Sequence, residues 1–211
     1  PPHGLVRDPA RRTLVKQRVL AGGQILLRLD AGSTDVVALA TAARLREQLR
    51  AAWRDVDAVI ASDYGYGVLT PALVDEIAAL QAERERVLVV DGTDLRRLAR
   101  ARPTAVKPNY AEAARRLGIA ARHGEARVEQ IAAHEAELLA CTGARLAAIT
   151  LDASGGLVFE AGRPAYRTYA RPSPDANATG AGDTFVAALA LALASGASTP
   201  ASADLASAAA T

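Results

Sequence analysis

The sequence predicts an α/β domain built on a mainly parallel central sheet. Short apolar runs, each bounded by polar or glycine-rich turns, recur along the chain, and amphipathic segments of helical period separate them. The size agrees: 211 residues, 50% apolar and only 4% aromatic, furnish one alanine-rich core of ordinary dimensions.

The first element is a hairpin over 13–30, in which Leu14-Val15 and Val19-Leu20 precede a Gly22-Gly23 turn and Ile25-Leu26-Leu27 follows it. Leu39, Ala42, Leu45, Leu49 and Trp53 recur at helical spacing and predict a helix over 34–53. A buried strand over 56–62 then runs into Gly65 and Gly67. Thr70 as N-cap and Pro71 at the first helical position open the next helix, with Leu73, Ile77 and Leu80 as its apolar stripe. Strands follow at 87–90, ending on Asp91-Gly92, and at 105–107, stopped by Pro108. One helix runs from Asn109 to Gly118 and a second over 125–142, closed by Gly143. A strand at 146–151 turns through Gly155-Gly156 into Leu157-Val158-Phe159, and a proline-rich connection (Pro164, Pro172, Pro174) leads to Gly180, where a long helix starts.

Composition narrows the function classes. A net charge of +2 without a clustered basic patch argues against nucleic-acid binding. The single cysteine, Cys141, excludes an intramolecular disulfide and a cysteine-based zinc site, which suits a reducing, cytoplasmic setting. The longest apolar run, 185–194, has about half the length a bilayer requires, so no membrane association is expected. No charged-then-apolar leader opens the sequence. The absence of methionine, and an alanine-rich end at 204–211 without a helix stop, lead to the expectation of a fragment.

In parallel sheets ligands bind beyond the carboxyl ends of the strands, which directs attention to Asp63, Asp91, Asn109, Asp152 and residues 179–183. The richest string is Ala178-Thr179-Gly180-Ala181-Gly182-Asp183-Thr184-Phe185. It takes a loop straight into an uncharged helix, whose first N–H groups lack partners and carry partial positive charge. Glycine lets an anion approach that backbone closely. A carboxylate in the same turn is unfavourable beside phosphate unless it has a task, and taking the proton of an attacking hydroxyl is such a task. The helix N-terminus should keep Asp183 ionised and only weakly basic. Taken singly, a G-x-G turn with an acid in the first helical turn also fits a plain dipole interaction.

The string 179–185 resembles the C-terminal signature of the PfkB (ribokinase-like) carbohydrate kinases. The resemblance implies a ribokinase-like three-layer sandwich, incomplete at both ends, in which 34–211 form the nucleotide-binding core and the hairpin 13–30 a lid. It assigns Asp183 as catalytic base and Thr179, Gly180, Ala181 and Gly182 to an anion hole, with ATP and Mg²⁺ as cofactors. Lys107-Pro108-Asn109-Tyr110-Ala111-Glu112 is similar to the family's Asn-x-x-Glu motif. That likeness associates Lys107, Asn109, Tyr110, Ala111 and Glu112 with the nucleotide and Mg²⁺, Glu112 acting directly or through water. A hard cation prefers such oxygen donors, yet the same spacing fits a capping box equally well. Thr150 and Asp152 occupy the place of a strand-to-turn element lining the nucleotide. The departures are Asn177 where many members have Asp, and Asp152 where Gly is usual.

Finer likeness points to the D-β-D-heptose 7-phosphate kinase domain of bifunctional (RfaE-like) heptose kinase/adenylyltransferase proteins. It rests on 14–30, on Ser62-Asp63-Tyr64-Gly65-Tyr66-Gly67 and on Asp91-Gly92-Thr93-Asp94. Asp63, Asp91 and Arg18 are the substrate-side candidates, and the likeness implies a homodimer formed through the hairpin. Tyr66 stands where that branch usually has Lys, and a Pro-Lys pair between Asp91 and Gly92 is missing, which removes two cations suited to a sugar phosphate. No His-x-Gly-His motif of nucleotidyl transfer is present. The readings are thus an ATP-dependent sugar or sugar-phosphate kinase, a PfkB kinase for a different sugar, an incomplete non-catalytic nucleotide-binding module and, last, a nicotinamide-binding protein. This last one needs its glycine fingerprint after the first strand instead of near the end.

Overall fold

The computed structural model describes residues 4–21, 24–170 and 180–210. The expected Gly22-Gly23 turn, Asn177 and Thr179 lie outside them. Strands β1 (Val15–Ala21) and β2 (Gln24–Ala31) pair antiparallel as a separate two-stranded sheet, as the hairpin reading predicts. The main sheet has the order β3 (Ala58–Asp63), β4 (Val87–Gly92), β5 (Ala105–Val106), β6 (Leu146–Thr150), β7 (Gly156–Glu160), β8 (Tyr166–Thr168). β3 to β6 pair parallel, and the β6–β7 and β7–β8 pairings are antiparallel, so β7 alone runs against the others.

Strand alternation makes the layers. Leu88, Val90, Val106, Ala147 and Ile149 face one side, beneath α1 (Leu39–Trp53), α2 (Pro71–Glu83), α3 (Tyr110–Leu117), α4 (Ala126–Ala132) and α5 (Glu135–Thr142). Val89, Ala105, Leu146 and Ala148 face the other, beneath α6 (Ala181–Ala194) and α7 (Thr199–Ala209). Burial of Phe185, Val186 and Leu189 anchors α6, each worth about 1.5–3 kcal/mol. The result is the expected three-layer sandwich.

Several local expectations are met in atomic detail. The Thr70 side chain accepts from Leu73 N, with Pro71 opening α2. Gly118 and Gly143 close α3 and α5 in the left-handed region.

Others need correction. The first helix starts at Leu39 instead of residue 34, because the preceding backbone is used elsewhere: Val37 N donates to Gly67 O, while the Arg11 guanidinium holds the Ser33 and Asp35 carbonyls. Leu39 is consequently 90% exposed and leaves the stripe. The helix expected over 125–142 breaks at Ala133-His134, where His134 Nδ1 lies 2.8 Å from Gln130 O and His134 N turns back to Ile131 O. A 3-10 helix at Leu95–Ala101 and strand β8 carry no helical or alternating stripe long enough to read. The C-terminal helical stretch is two helices, parted near Gly196, with the Ser198 side chain capping the second.

Candidate active site

Strands β3 to β6 deliver their polar termini to one edge of the sheet. Ser62 lies beside Asp91 in the β3–β4 register, and Asn109 bridges Thr150. The head of α6 reaches the same edge: an added Cβ on Gly182 would lie 3.5 Å from Lys107 Nζ, and the Tyr64 hydroxyl donates to Asp183 Oδ1 at 3.0 Å. The string at 180–183 and the segment at 107–112, far apart in sequence, are therefore joined through Lys107.

Gly180 takes φ +87, a conformation glycine adopts without strain, and it caps α6 with no side-chain hydrogen bond. Among the described residues nothing lies within 4 Å of where a Gly180 Cβ would be, and the leading N–H groups of α6 have no intrahelical partner. Asp183 is exposed beside them. Lys107 is buried and pairs with Asp91 Oδ1 at 3.1 Å. Burial raises the Asp91 carboxyl above its ordinary range; Lys107 opposes this, while the negative charges of Glu112 and Asp183 reinforce it. Asp91 thus feels the Lys107 ammonium and the Glu112 and Asp183 carboxylates together.

The capping box is real: Asn109 Oδ1 accepts from Glu112 N and Glu112 Oε2 accepts from Asn109 N, both at 2.9 Å. This fixes the Glu112 carboxylate at the head of α3. Among the described residues no group of three or more His, Cys, Asp or Glu is gathered tightly enough to hold a metal ion by itself. Such a sparse donor set fits Mg²⁺, which keeps waters and takes one or two carboxylates plus phosphate oxygens.

The remaining expected residues are placed as follows. Ala111 is exposed on the first turn of α3. Tyr110 points into the interior, its hydroxyl donating to Gln130 Oε1 at 2.6 Å and accepting from Arg122 N, with the Arg127 guanidinium over its ring. Asp152 is an exposed residue at φ +53, paired with Arg127 Nη1 at 3.0 Å; Arg127 also binds the Leu151 carbonyl and Ser154 Oγ. Asp63 is buried and fully engaged, accepting from Gly65 N and from Arg97 Nη1, both at 2.9 Å, so it shapes the turn after β3. Arg18 lies opposite Arg28 on the hairpin, and Arg28 is bound to Asp30.

Sequence reasoning missed Lys16. Its ammonium stands 4.4 Å from the Tyr64 ring centroid and 5.1 Å from that of Tyr66, and the two rings stack with centroids 6.0 Å apart. The signal was there, in a basic residue on the hairpin and a tyrosine pair in the loop, but nothing local links residues 16 and 64. Arg97 and Arg127 were missed for the same reason.

The chain thus combines an α/β sandwich with a glycine-headed helix, an exposed acid in that helix's first turn and a buried lysine at the strand ends. Comparison with known proteins specifies the family. The profile of the pfkB family carbohydrate kinases matches residues 32–211, and the chain belongs to that family. It is 36% identical over 216 residues to the bifunctional protein HldE of Desulfatibacillum aliphaticivorans, covering 98% of this chain and 42% of that protein. Against HldE of Geobacter sulfurreducens the identity is 37%, covering 92% of this chain and 39% of that protein. The chain therefore spans about two-fifths of the length of these relatives. Among solved structures, phosphofructokinase-2 of Escherichia coli in complex with fructose-6-phosphate superposes with a TM-score of 0.67 at 20% identity, covering 88% of this chain and 59% of that one. Ribokinase of Arabidopsis thaliana complexed with ribose and ATP gives a TM-score of 0.59 at 16% identity, covering 84% and 55%. These likenesses show the ribokinase-like fold.

Proposed function

We propose that this chain is the kinase portion of a protein that moves the terminal phosphoryl group of ATP to a hydroxyl of a sugar phosphate, of the heptose 7-phosphate type. One observation carries the reading: the glycine-led head of α6 has Asp183 exposed on it and the buried Lys107 ammonium in contact range of Gly182.

The acceptor hydroxyl donates to Asp183, which takes the proton as the oxygen attacks phosphorus in line. The N–H groups of Ala181 and Gly182 and the Lys107 ammonium hold the phosphoryl oxygens, where negative charge is spread in the transition state. Thr179 completes this anion hole. Mg²⁺, when bound, neutralises charge on the phosphates, and Glu112 and Asp91 are the carboxylates that hold it directly or through water. Asn109, Ala111, Thr150 and Asp152 form the wall along which the nucleotide lies, backed from the interior by Tyr110. Lys16 supports a phosphorylated acceptor: it stands over Tyr66, the position where the resemblance has a lysine, so the hairpin supplies the cation that the loop lacks. Arg18 projects on the same strand face as Lys16.

Asp183→Asn in the full-length gene product should lower sugar-stimulated ADP release by at least about 10²-fold while ATP binding persists. Undiminished turnover removes Asp183 from the mechanism.

The hairpin also supports a homodimer. Val15, Val19, Leu27 and Leu29 share its other face, each about half exposed. A second copy presenting the same face covers them. Sedimentation should show a dimer that Leu27→Lys dissociates; a wild-type monomer contradicts this. No helix among the described residues is long and apolar enough to cross a membrane. The lone free Cys141 and the ATP donor support a cytoplasmic setting.

A further inference from the structure

The hydrogen bond from Tyr64 to Asp183 has a consequence for how the site behaves without its sugar. At 3.0 Å the phenol meets the carboxylate in the geometry an acceptor alcohol needs. The Tyr64 backbone is fixed, because Asp63 is pinned by Arg97 and by Gly65 N. The side chain is half exposed, with solvent on one side of it. Its ring is held from the hairpin, with Lys16 above it and Tyr66 stacked against it at 13° between planes.

We propose that Tyr64 guards Asp183 in the sugar-free state, its hydroxyl standing in for the acceptor hydroxyl, and that Lys16 of the hairpin holds the guarding ring in place. This rests on the kinase reading above. The guard acts against water. In its absence a water molecule bound to Asp183 attacks the terminal phosphorus of ATP, the bond to the ADP oxygen breaks, Asp183 takes the water's proton, and the products are ADP and inorganic phosphate. A hydroxyl fixed to a side chain occupies the carboxylate and keeps water away. An arriving sugar hydroxyl replaces it, with the rest of the sugar providing the binding energy that moves the ring. Burial, then the bond and charge of Asp183, push the Tyr64 phenol's ionisation up, with the Ser62 hydroxyl partly opposing, so the guard remains a neutral donor.

Tyr64→Phe keeps the ring, the stacking and the cation contact and removes only the hydroxyl. In the full-length gene product with ATP and Mg²⁺, the ratio of sugar-free to sugar-stimulated ADP release should rise about tenfold over wild type, equivalent to about 1.4 kcal/mol. Lys16→Ala should raise the sugar-free rate itself, by less than Tyr64→Phe does, and adding Asp183→Asn to Tyr64→Phe should return sugar-free release to background. An unchanged or lower ratio in Tyr64→Phe, or a phosphate found on Tyr64 after incubation with ATP, overturns the proposal. Ultraviolet titration provides a reading independent of turnover. The difference between wild type and Tyr64→Phe isolates this one phenol among the five tyrosines, and Asp183→Asn should shift its ionisation down. No shift overturns the guard even in an active kinase. A gene product without sugar-stimulated ADP release sinks the kinase reading, and the guard with it, whatever the titration shows.

Discussion

Replacing Lys107 by Met tests the site through its electrostatics. The ammonium lies 3.1 Å from Asp91 Oδ1, with side-chain exposures of 7% and 16%. At an effective dielectric constant near 20 the attraction is about 5 kcal/mol. The folded variant does not lose all of this, because Asp91 can take up a proton instead of remaining a bare buried charge. Protonation costs about 1.4 kcal/mol for each pH unit above its pKa, and that pKa is already raised in the wild type. Removing one partner of a buried pair costs about 3–5 kcal/mol, and the protonation route places Lys107→Met at the low end of that range. The loss should depend on pH. Without Lys107 the folded-state pKa of Asp91 climbs further above the ordinary 3.8. Below both folded-state pKa values the two folded proteins hold the proton alike and the electrostatic deficit vanishes. As pH rises the wild-type Asp91, favoured by Lys107, ionises before that of the variant, so the deficit grows until Asp91 of the variant ionises too. Urea denaturation of the full-length gene product at pH 5 and pH 8 measures this. Lys107→Met should be destabilised more at pH 8, and adding Asp91→Asn should restore most of the stability while leaving ATP binding weak. Equal deficits at the two pH values, or no rescue by the second substitution, would refute the argument.

Other expectations follow from single contacts. Asn109→Ala breaks the capping box of α3 and should cost about 1 kcal/mol in denaturant unfolding. Glu76 is buried between Arg50 and Arg46, whose hydrogen bonds, led by that of Arg50, hold its carboxyl below the ordinary 4.5. The stability it contributes is therefore present above pH 4.5 and lost as pH falls below it, and Glu76→Gln should flatten that part of a thermal-melting profile. Gly67→Ala should unfold the turn before α2, since a Cβ at φ +71 would collide with the Asp35 carbonyl; circular dichroism and Tm would register the loss.

How much was legible depends on the range of the interactions. The strands of the main sheet could be read because Val87, Leu88, Val89 and Val90 fill both faces of a buried parallel strand, which leaves a continuous apolar run. Thr70-Pro71 and the Asn109–Glu112 box could be read because capping is a contact between residues three apart. The string at 180–183 could be read because backbone conformation and helix charge are set within one turn. Contacts made only by folding were invisible: Lys16 on Tyr64, Arg97 on Asp63, and Arg127 on the turn at 151–154. Arg11 shows the same limit, since its grip on the Ser33, Asp35 and Tyr66 carbonyls displaces the start of α1 from across the fold. The departure at Tyr66 read as a lost cation, yet the structure returns one there from another strand.

The central claim is positional: the terminal phosphate of the donor meets the head of α6. A crystal structure of the full-length gene product with a non-hydrolysable ATP analogue and Mg²⁺ decides it. The γ-phosphate should accept hydrogen bonds from the N–H groups at 180–182 and from Lys107 Nζ, with an Asp183 oxygen within about 4 Å of where an acceptor hydroxyl must attack. A triphosphate bound elsewhere, with that helix head still empty, would leave Asp183 and Lys107 without the roles given to them.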